Sequence, residues 1–119
     1  MKQKNIIAEK SFDFAVRIVK LYRFLCTGRK EYVLSKQFLR SGTSIGANVY
    51  EALQGQSRKD FVSKMSIALK EAAETVYWIK LLTRTEYLTS EQGDSIHNDC
   101  TEIIRILHSI VKTTKDKVP

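Results

Sequence analysis

The side chains of this sequence that could do chemistry include a row of polar residues within QFLRSGTSIGANVYE, residues 37–51. If this segment is a helix with about 100° per residue, one sector of about 60° holds Gln37, Ser41, Ser44 and Asn48. We define the polar row as these four residues together with Arg40 and Glu51, which lie at its margin. Such groups either bind a ligand or hydrogen-bond to another helix, because buried polar groups need partners.

Two carboxylates of a later apolar segment, Glu71 and Glu74, could act together with the polar row. Paired carboxylates can serve as general acid and base, but catalysis also needs a nucleophile or an oxyanion-stabilising group, and the sequence places neither beside them. We therefore predict that Glu71 and Glu74 accept hydrogen bonds or ion pairs from Arg40 or Gln37. The polar row and these two glutamates would then form a buried polar seam that fixes the register of two helices.

Metal binding is another use that helical bundles make of carboxylates. Di-metal bundles take a glutamate from each of two helices and Glu-x-x-His from each of the other two. The nearest match is Asp94-x-x-His97, which has no second copy, and His108 has no carboxylate three or four residues before it. The sequence also lacks a phosphate-binding loop, a dinucleotide fingerprint and a hydrolase nucleophile elbow. We predict no metal, no cofactor and no enzymatic activity, with a bundle metalloenzyme as the weakest alternative.

Four amphipathic segments must position these residues. Apolar residues recur at helical spacing in about 9–26, 32–54, 58–84 and 90–113, and no stretch shows the sustained two-residue alternation of a strand. Short connections favour an all-α, antiparallel up-down-up-down four-helix bundle, formed by residues 1–119 as a single domain. Ser57 with Asp60, and Thr89 with Gln92, match the capping pattern at a helix start.

Three details of these helices lead to specific expectations. Gly28 should end the first helix, since glycine can adopt the left-handed conformation after a helix. Gly42 and Gly46 lie inside the second helix, where each costs about 1 kcal/mol relative to alanine, so we expect the second helix to pack closely against a neighbour. The first helix should bury one apolar face: Phe12, Ala15, Ile18, Val19, Tyr22, Leu25 and Cys26.

The chain is basic, with 20 Lys and Arg against 13 Asp and Glu and a formal net charge of +7. Such an excess indicates either an anionic partner, such as nucleic acid, or only a well-solvated helix surface. The pairs at 29–30 and 58–59 should lie at opposite ends of the bundle, so an oligomer would be needed to gather them. The nucleic-acid contacts that we predict are Arg17, Arg23, Arg29, Lys30, Arg58 and Lys59.

The cysteines and the N-terminal segment bear on cellular location. Cys26 and Cys100 are isolated at apolar helix positions, which indicates free thiols in a reducing compartment. The N-terminal residues carry charges on both sides of a short apolar patch, unlike a signal peptide. No run approaches the roughly 18 apolar residues of a membrane span. We predict a cytoplasmic protein that does not enter a membrane.

Three segments of the chain resemble a known family: KSFDFAVRIVKLY, LRSGTSIGANVYEA and IALKEAAETVYWIKLL. Together they are similar to the bacterial four-helix-bundle family of 23S rRNA intervening-sequence proteins. The resemblance implies a small cytoplasmic bundle that assembles into a ring-like homo-pentamer. It extends to the accessory protein of diversity-generating retroelements, a basic ring that binds nucleic acid.

Two functional hypotheses follow. The first is a non-enzymatic, oligomeric nucleic-acid-binding protein, with structured RNA as the leading ligand and DNA as the other, whose arginines and lysines contact phosphates without reading bases. The alternative is a structural or protein-interaction module that has a protein partner and no nucleic-acid ligand. The broad apolar surface of the third helix and the closely packed glycines of the second support the alternative.

Overall fold

The computed structural model describes residues 2–116, with side chains from residue 5 onward. Four helices follow one another along the chain: α1 (Lys2–Thr27), α2 (Leu34–Leu53), α3 (Arg58–Arg84) and α4 (Ser90–Lys115). Their contacts join α1 to α2, α2 to α3, α3 to α4 and α4 back to α1. Each neighbouring pair is antiparallel, which confirms the predicted four-helix bundle. The bundle measures 49 × 20 × 20 Å.

Helix α1 begins at Lys2, earlier than the predicted start near residue 9. Phe12 was expected inside, but it is 68% exposed, whereas Phe14 is 2% exposed. The buried residues follow the i, i+4, i+7, i+11 spacing of one helical stripe: Ile7, Ser11, Phe14 and Ile18. The prediction was therefore wrong for Phe12, whereas Ile18 and Leu25 of the predicted face are completely buried.

Helices α3 and α4 begin where the capping patterns predicted. The Ser57 hydroxyl accepts a hydrogen bond from the backbone N–H of Asp60 at 3.0 Å. At the start of α4, Thr89 and Gln92 form a complete capping box, in which each side chain accepts from the other residue's backbone N–H. These bonds satisfy donors that have no partner inside the helix, and so they fix both helix starts.

The left-handed residues that follow α1 and α3 are not glycines. Lys30 has a φ of 54° and Glu86 has a φ of 69°, while none of the glycines has a positive φ. The residue after each left-handed residue donates its backbone N–H to a carbonyl of the last helical turn. Glu31 donates to Leu25, and Tyr87 donates to Leu82. The bond from Tyr87 to Leu82 is the 6→1 bond of a Schellman-type helix end, whereas the bond from Glu31 to Leu25 reaches one residue further back. The expected left-handed conformation of Gly28 was therefore wrong.

Glu31 caps α2 from outside the helix, an arrangement that the sequence pattern did not predict. The side chain of the residue preceding the helix, Val33, makes no capping bond. Instead the buried Glu31 carboxylate accepts from the backbone N–H groups of Val33, Leu34 and Ser35 at 3.2, 3.0 and 2.6 Å. Burial disfavours the charged carboxylate, but these hydrogen bonds outweigh it and hold the pKa of Glu31 below its ordinary value.

The two glycines of α2 allow α1 to approach closely, as expected. A Cβ atom placed on Gly42 would lie 2.8 Å from three side-chain carbons of Ile18. One placed on Gly46 would lie 3.2 Å from the backbone oxygen of Ser11. Side chains at these positions would therefore push α1 and α2 apart, which explains why two poor helix formers occur here.

Candidate nucleic-acid interface

The polar row lies at the edge of the α2–α3 contact, and only Ser41 of its members is buried. Gln37, Arg40 and Glu51 are exposed, while Ser44 and Asn48 are half-buried. The Ser44 hydroxyl donates to the carbonyl of Arg40, and the Asn48 amide donates to the carbonyl of Ser44. Both bonds stay inside α2, as short polar side chains in helices often bond back to the preceding turn.

Only one member of the polar row reaches α3 by an ion pair within the described residues. The Glu51 carboxylate lies 2.9 Å from the Lys64 ammonium group, and both side chains are largely solvated. A pair of this kind contributes little to stability. It sets the antiparallel alignment of the end of α2 with the start of α3 at the surface, outside the core.

The buried hydrogen bond between these helices joins Ser41 to Thr75. The Thr75 hydroxyl lies 3.0 Å from the Ser41 hydroxyl and 2.8 Å from the carbonyl of Glu71. Both Ser41 and Thr75 are completely buried. A buried polar link of α2 with α3 therefore exists, but it joins Ser41 to Thr75 and not to the predicted Glu71 or Glu74 side chains. Ser41 lay in the predicted polar sector, but Thr75 was hidden in an apolar stretch.

Glu71 and Glu74 do not accept hydrogen bonds from the polar row as predicted. The Glu74 carboxylate accepts from the indole N–H of Trp78 at 3.0 Å, within α3. One oxygen of Glu71, Oε1, is buried and has no hydrogen-bond partner in this structure. The predicted donors Arg40 and Gln37 point into solvent. The isolated chain thus does not form the predicted buried seam, because the row sits at the margin of the helix contact.

The six predicted nucleic-acid residues differ in their surroundings. Arg17 belongs to the α1–α4 contact, where its guanidinium bonds to the Asp99 carboxylate and donates to the Ser95 hydroxyl. Arg29 donates to the carbonyl of Glu86 and lies 5.7 Å from the centre of the Tyr87 ring. The side chains of the other four are exposed to solvent: Arg23, Lys30, Arg58 and Lys59.

These residues do not come together on one monomer. Arg29 and Lys30 lie between α1 and α2, and Arg58 and Lys59 open α3. Helix α2 has 20 residues, which span about 30 Å at 1.5 Å per residue. The two basic pairs therefore occupy opposite ends of the bundle.

A groove between α3 and α4 gathers basic residues that were not among the six. It has a volume of about 430 Å³, and its lining includes Lys80 and Arg84 from α3 and Asp94 and His97 from α4. At its floor the two helices approach so closely that a Cβ on Gly93 would lie 2.3 Å from the Thr83 hydroxyl. No short motif marks this groove, because its walls belong to two helices that are joined by the α3–α4 connection.

The thiols and carboxylates give no sign of catalytic chemistry in the described part of the chain. Cys26 and Cys100 are free. Burial, with a smaller contribution from Asp99, raises the pKa of Cys100 to about 12, so this thiol stays protonated at neutral pH. Residues 5–116 contain no group of three His, Cys, Asp or Glu side chains that could hold a metal ion. Within the described residues no helix is long and apolar enough to span a bilayer.

The fold and the distribution of charge define a small basic four-helix bundle. The family described as 23S rRNA-intervening sequence protein matches residues 3–109. The chain therefore belongs to this family.

A solved relative confirms the fold closely. The crystal structure of a protein of unknown function from the S23 ribosomal protein family of Bacteroides thetaiotaomicron is 62% identical, with a TM-score of 0.91. The match covers 92% of this chain and 98% of that one. No curated protein matches the chain.

Proposed function

We propose that this chain is a non-enzymatic, cytoplasmic homo-oligomer that binds structured RNA through phosphate contacts. The observation that carries the proposal is the net charge of +7 on a chain of a family named for an rRNA segment. Exposed arginines and lysines at both ends of a 49 Å bundle suit a duplex or hairpin, whose phosphates run along both strands. Such contacts neutralise phosphates and release counterions without reading the base sequence.

Assembly is part of the proposal, because one monomer separates its basic pairs by the length of α2. A ring of several copies, with a pentamer as the expectation from the family resemblance, would repeat each basic cluster around one axis. Several weak phosphate contacts would then act on one RNA molecule, and their effects on affinity would multiply.

The test is fluorescence anisotropy with a structured RNA and a duplex DNA, over 50–200 mM salt. We expect wild-type protein to bind RNA with an affinity that falls steeply as salt rises. The triple variant Arg23→Gln, Lys30→Gln, Lys59→Gln should bind at least about tenfold more weakly. Its salt slope should be smaller by about 1 for each phosphate that the protein no longer neutralises.

A matched triple variant separates contacts from overall charge. Lys20→Gln, Lys36→Gln and Lys70→Gln remove the same number of charges from other exposed positions. The control should bind closer to wild type than the test variant does. If wild-type protein at micromolar concentration binds neither nucleic acid at 50 mM salt, the proposal is wrong.

A second candidate, a protein-interaction module, is favoured by an apolar stripe on the α1–α2 side. We define the stripe as Phe12, Val16 and Tyr50, which are 68%, 40% and 69% exposed. Phe12 follows Ser11, which lies against Gly46, and Tyr50 is one turn beyond Gly46. Exposed aromatic residues grouped in this way are typical of protein interfaces.

The stripe gives a prediction about assembly. The double variant Phe12→Ser, Tyr50→Ser should lower the mass measured by light scattering, from a multiple of the 13.7 kDa chain towards the monomer. Its circular dichroism should stay unchanged, because both side chains lie outside the core. Tyr32→Ser, at a residue that is 54% exposed, is the control and should keep the wild-type mass. An unchanged mass in the double variant would exclude the stripe as the contact between copies.

The same preparation discriminates the two candidate functions. A stable oligomer that does not bind RNA but retains a specific protein partner would favour the interaction module. An oligomer that binds RNA in a salt-dependent manner favours the proposed function.

A further inference from the structure

We propose that the groove between α3 and α4 binds a phosphate group of the nucleic-acid backbone, with Lys80, Arg84 and His97 as its contacts. This inference rests on the proposed function and names a surface for it. The groove was defined above by its lining, and it lies outside the six positions that the sequence indicated.

The cations of the groove are not neutralised by the protein. Within the described residues the ion pairs join Lys10 to Glu102, Arg17 to Asp99 and Lys64 to Glu51, and none includes Lys80 or Arg84. Lys80 and Arg84 lie four residues apart on α3, so their charges face the same groove. The two positive charges repel each other, and an anion bound between them would reduce this repulsion. Both side chains are exposed and can reach a ligand without any unfolding of the helices.

The opposite wall contributes a donor and one opposing charge. His97 is half-buried on α4, and a neutral imidazole already offers one ring N–H, with a second after protonation. Asp94 is the acidic side chain of the lining and disfavours an anion. Two permanent positive charges against one negative charge leave the groove positive, more so when His97 is protonated.

The groove is open to solvent, so a phosphate of a nucleic-acid backbone can enter it while the rest of the backbone passes outside. Ile79 and Gly93 supply its apolar lining, and Thr83 uses its hydroxyl as a donor to the carbonyl of Ile79. The volume of about 430 Å³ leaves room for a phosphate with its bridging water molecules, each of which takes about 30 Å³.

The position of the groove extends the basic surface at one end of the bundle. Arg29 contacts Glu86 and Tyr87, which follow Arg84 in the connection from α3 to α4. The groove and the α1–α2 connection therefore share one end of the molecule. An RNA backbone that contacts Arg29 and Lys30 could continue along the α3–α4 surface.

His108 lies further along α4, about 20° around the helix and about 16 Å from His97.

The first experiment compares two double variants of the full chain in RNA binding. Lys80→Gln with Arg84→Gln should bind structured RNA at least about tenfold more weakly than wild type, with a salt slope smaller by about 2. Lys20→Gln with Lys36→Gln removes the same charge elsewhere and should have a smaller effect. If the groove variant and the control show the same reduction in affinity while wild type binds, the groove inference is wrong and the proposed function stands.

The second experiment is decisive even if no RNA binds. Inorganic phosphate is titrated into the protein while the ring protons of His97 and the amide of Gly93 are followed by NMR. We expect saturable shifts at both positions in wild-type protein and none in the Lys80→Gln, Arg84→Gln variant. His108 serves as an internal control outside the lining of the groove. Absence of saturable shifts at His97 in wild type would overturn the inference, whatever the result with RNA.

Discussion

Glu31→Ala is expected to lower the free energy of unfolding by about 2–3 kcal/mol, because it leaves the first turn of α2 without an acceptor. A helix cap is worth about 1 kcal/mol, and hydrogen bonds to a charged group contribute about 1.5–3 kcal/mol. Here one carboxylate accepts from Val33, Leu34 and Ser35. Its negative charge also lies at the positive end of the helix dipole.

Urea unfolding at neutral pH and fixed protein concentration measures this change in stability. The midpoint should fall in Glu31→Ala, while the slope should stay the same if the folded states are alike. Glu91→Gln is the matched control, because Glu91 is an exposed acid in the first turn of α4 and its replacement should cost only a few tenths of a kcal/mol. Equal destabilisation of the two variants would show that the Glu31 hydrogen bonds contribute nothing beyond the dipole.

The pKa of Glu31 adds a dependence on pH. Because the folded-state pKa is lower than the ordinary value of 4.5, the contribution of the carboxylate is fully present above that ordinary value. It is lost as the pH falls through the lowered pKa. The difference in stability between wild type and Glu31→Gln should therefore be constant from pH 7 to about 5 and shrink at lower pH. A stability difference that grows as the pH falls would contradict the lowered pKa of Glu31.

The sequence predicts the helices of this fold well where pattern and caps agree. Thr89 begins α4 as its capping box indicated, and the apolar residues that recur at helical spacing in this segment are buried: Ile96, Cys100, Ile103, Leu107, Ile110 and Val111. In α1 no N-terminal cap pattern fixes the start, and two overlapping apolar patterns compete. The chain buries Phe14 and exposes Phe12, a choice that depends on where α2 and α4 pack.

The contacts of the cap and of the candidate site are less predictable, because they depend on the conformation of a turn and on how the helices pack. Glu31 looks like part of a charged connection, and only the turn at Lys30 brings its carboxylate under α2. Thr75 resembles any residue of an apolar stretch until Ser41 lies opposite it. Lys80 and His97 share a groove only because α3 and α4 meet closely at Gly93.

Gly42→Ala is expected to destabilise the protein by about 1–2 kcal/mol, although alanine is the better helix former. Helix propensity alone would stabilise by about 1 kcal/mol. The new Cβ, however, would lie 2.8 Å from three side-chain carbons of Ile18, a residue with no exposed surface. Overpacking of a filled core costs about 1–3 kcal/mol, and three simultaneous close approaches place this case at the upper end.

Ala47→Gly measures how much helix propensity alone contributes to stability in the same helix. Ala47 is exposed, so this reverse exchange should cost about 1 kcal/mol without any change in packing. If packing against Ile18 did not matter, Gly42→Ala would stabilise the protein by as much as Ala47→Gly destabilises it. We expect both variants to lower the urea midpoint instead. A Gly42→Ala protein more stable than wild type would show that α1 can move away from α2 at little cost, and that the glycine serves a purpose other than close packing.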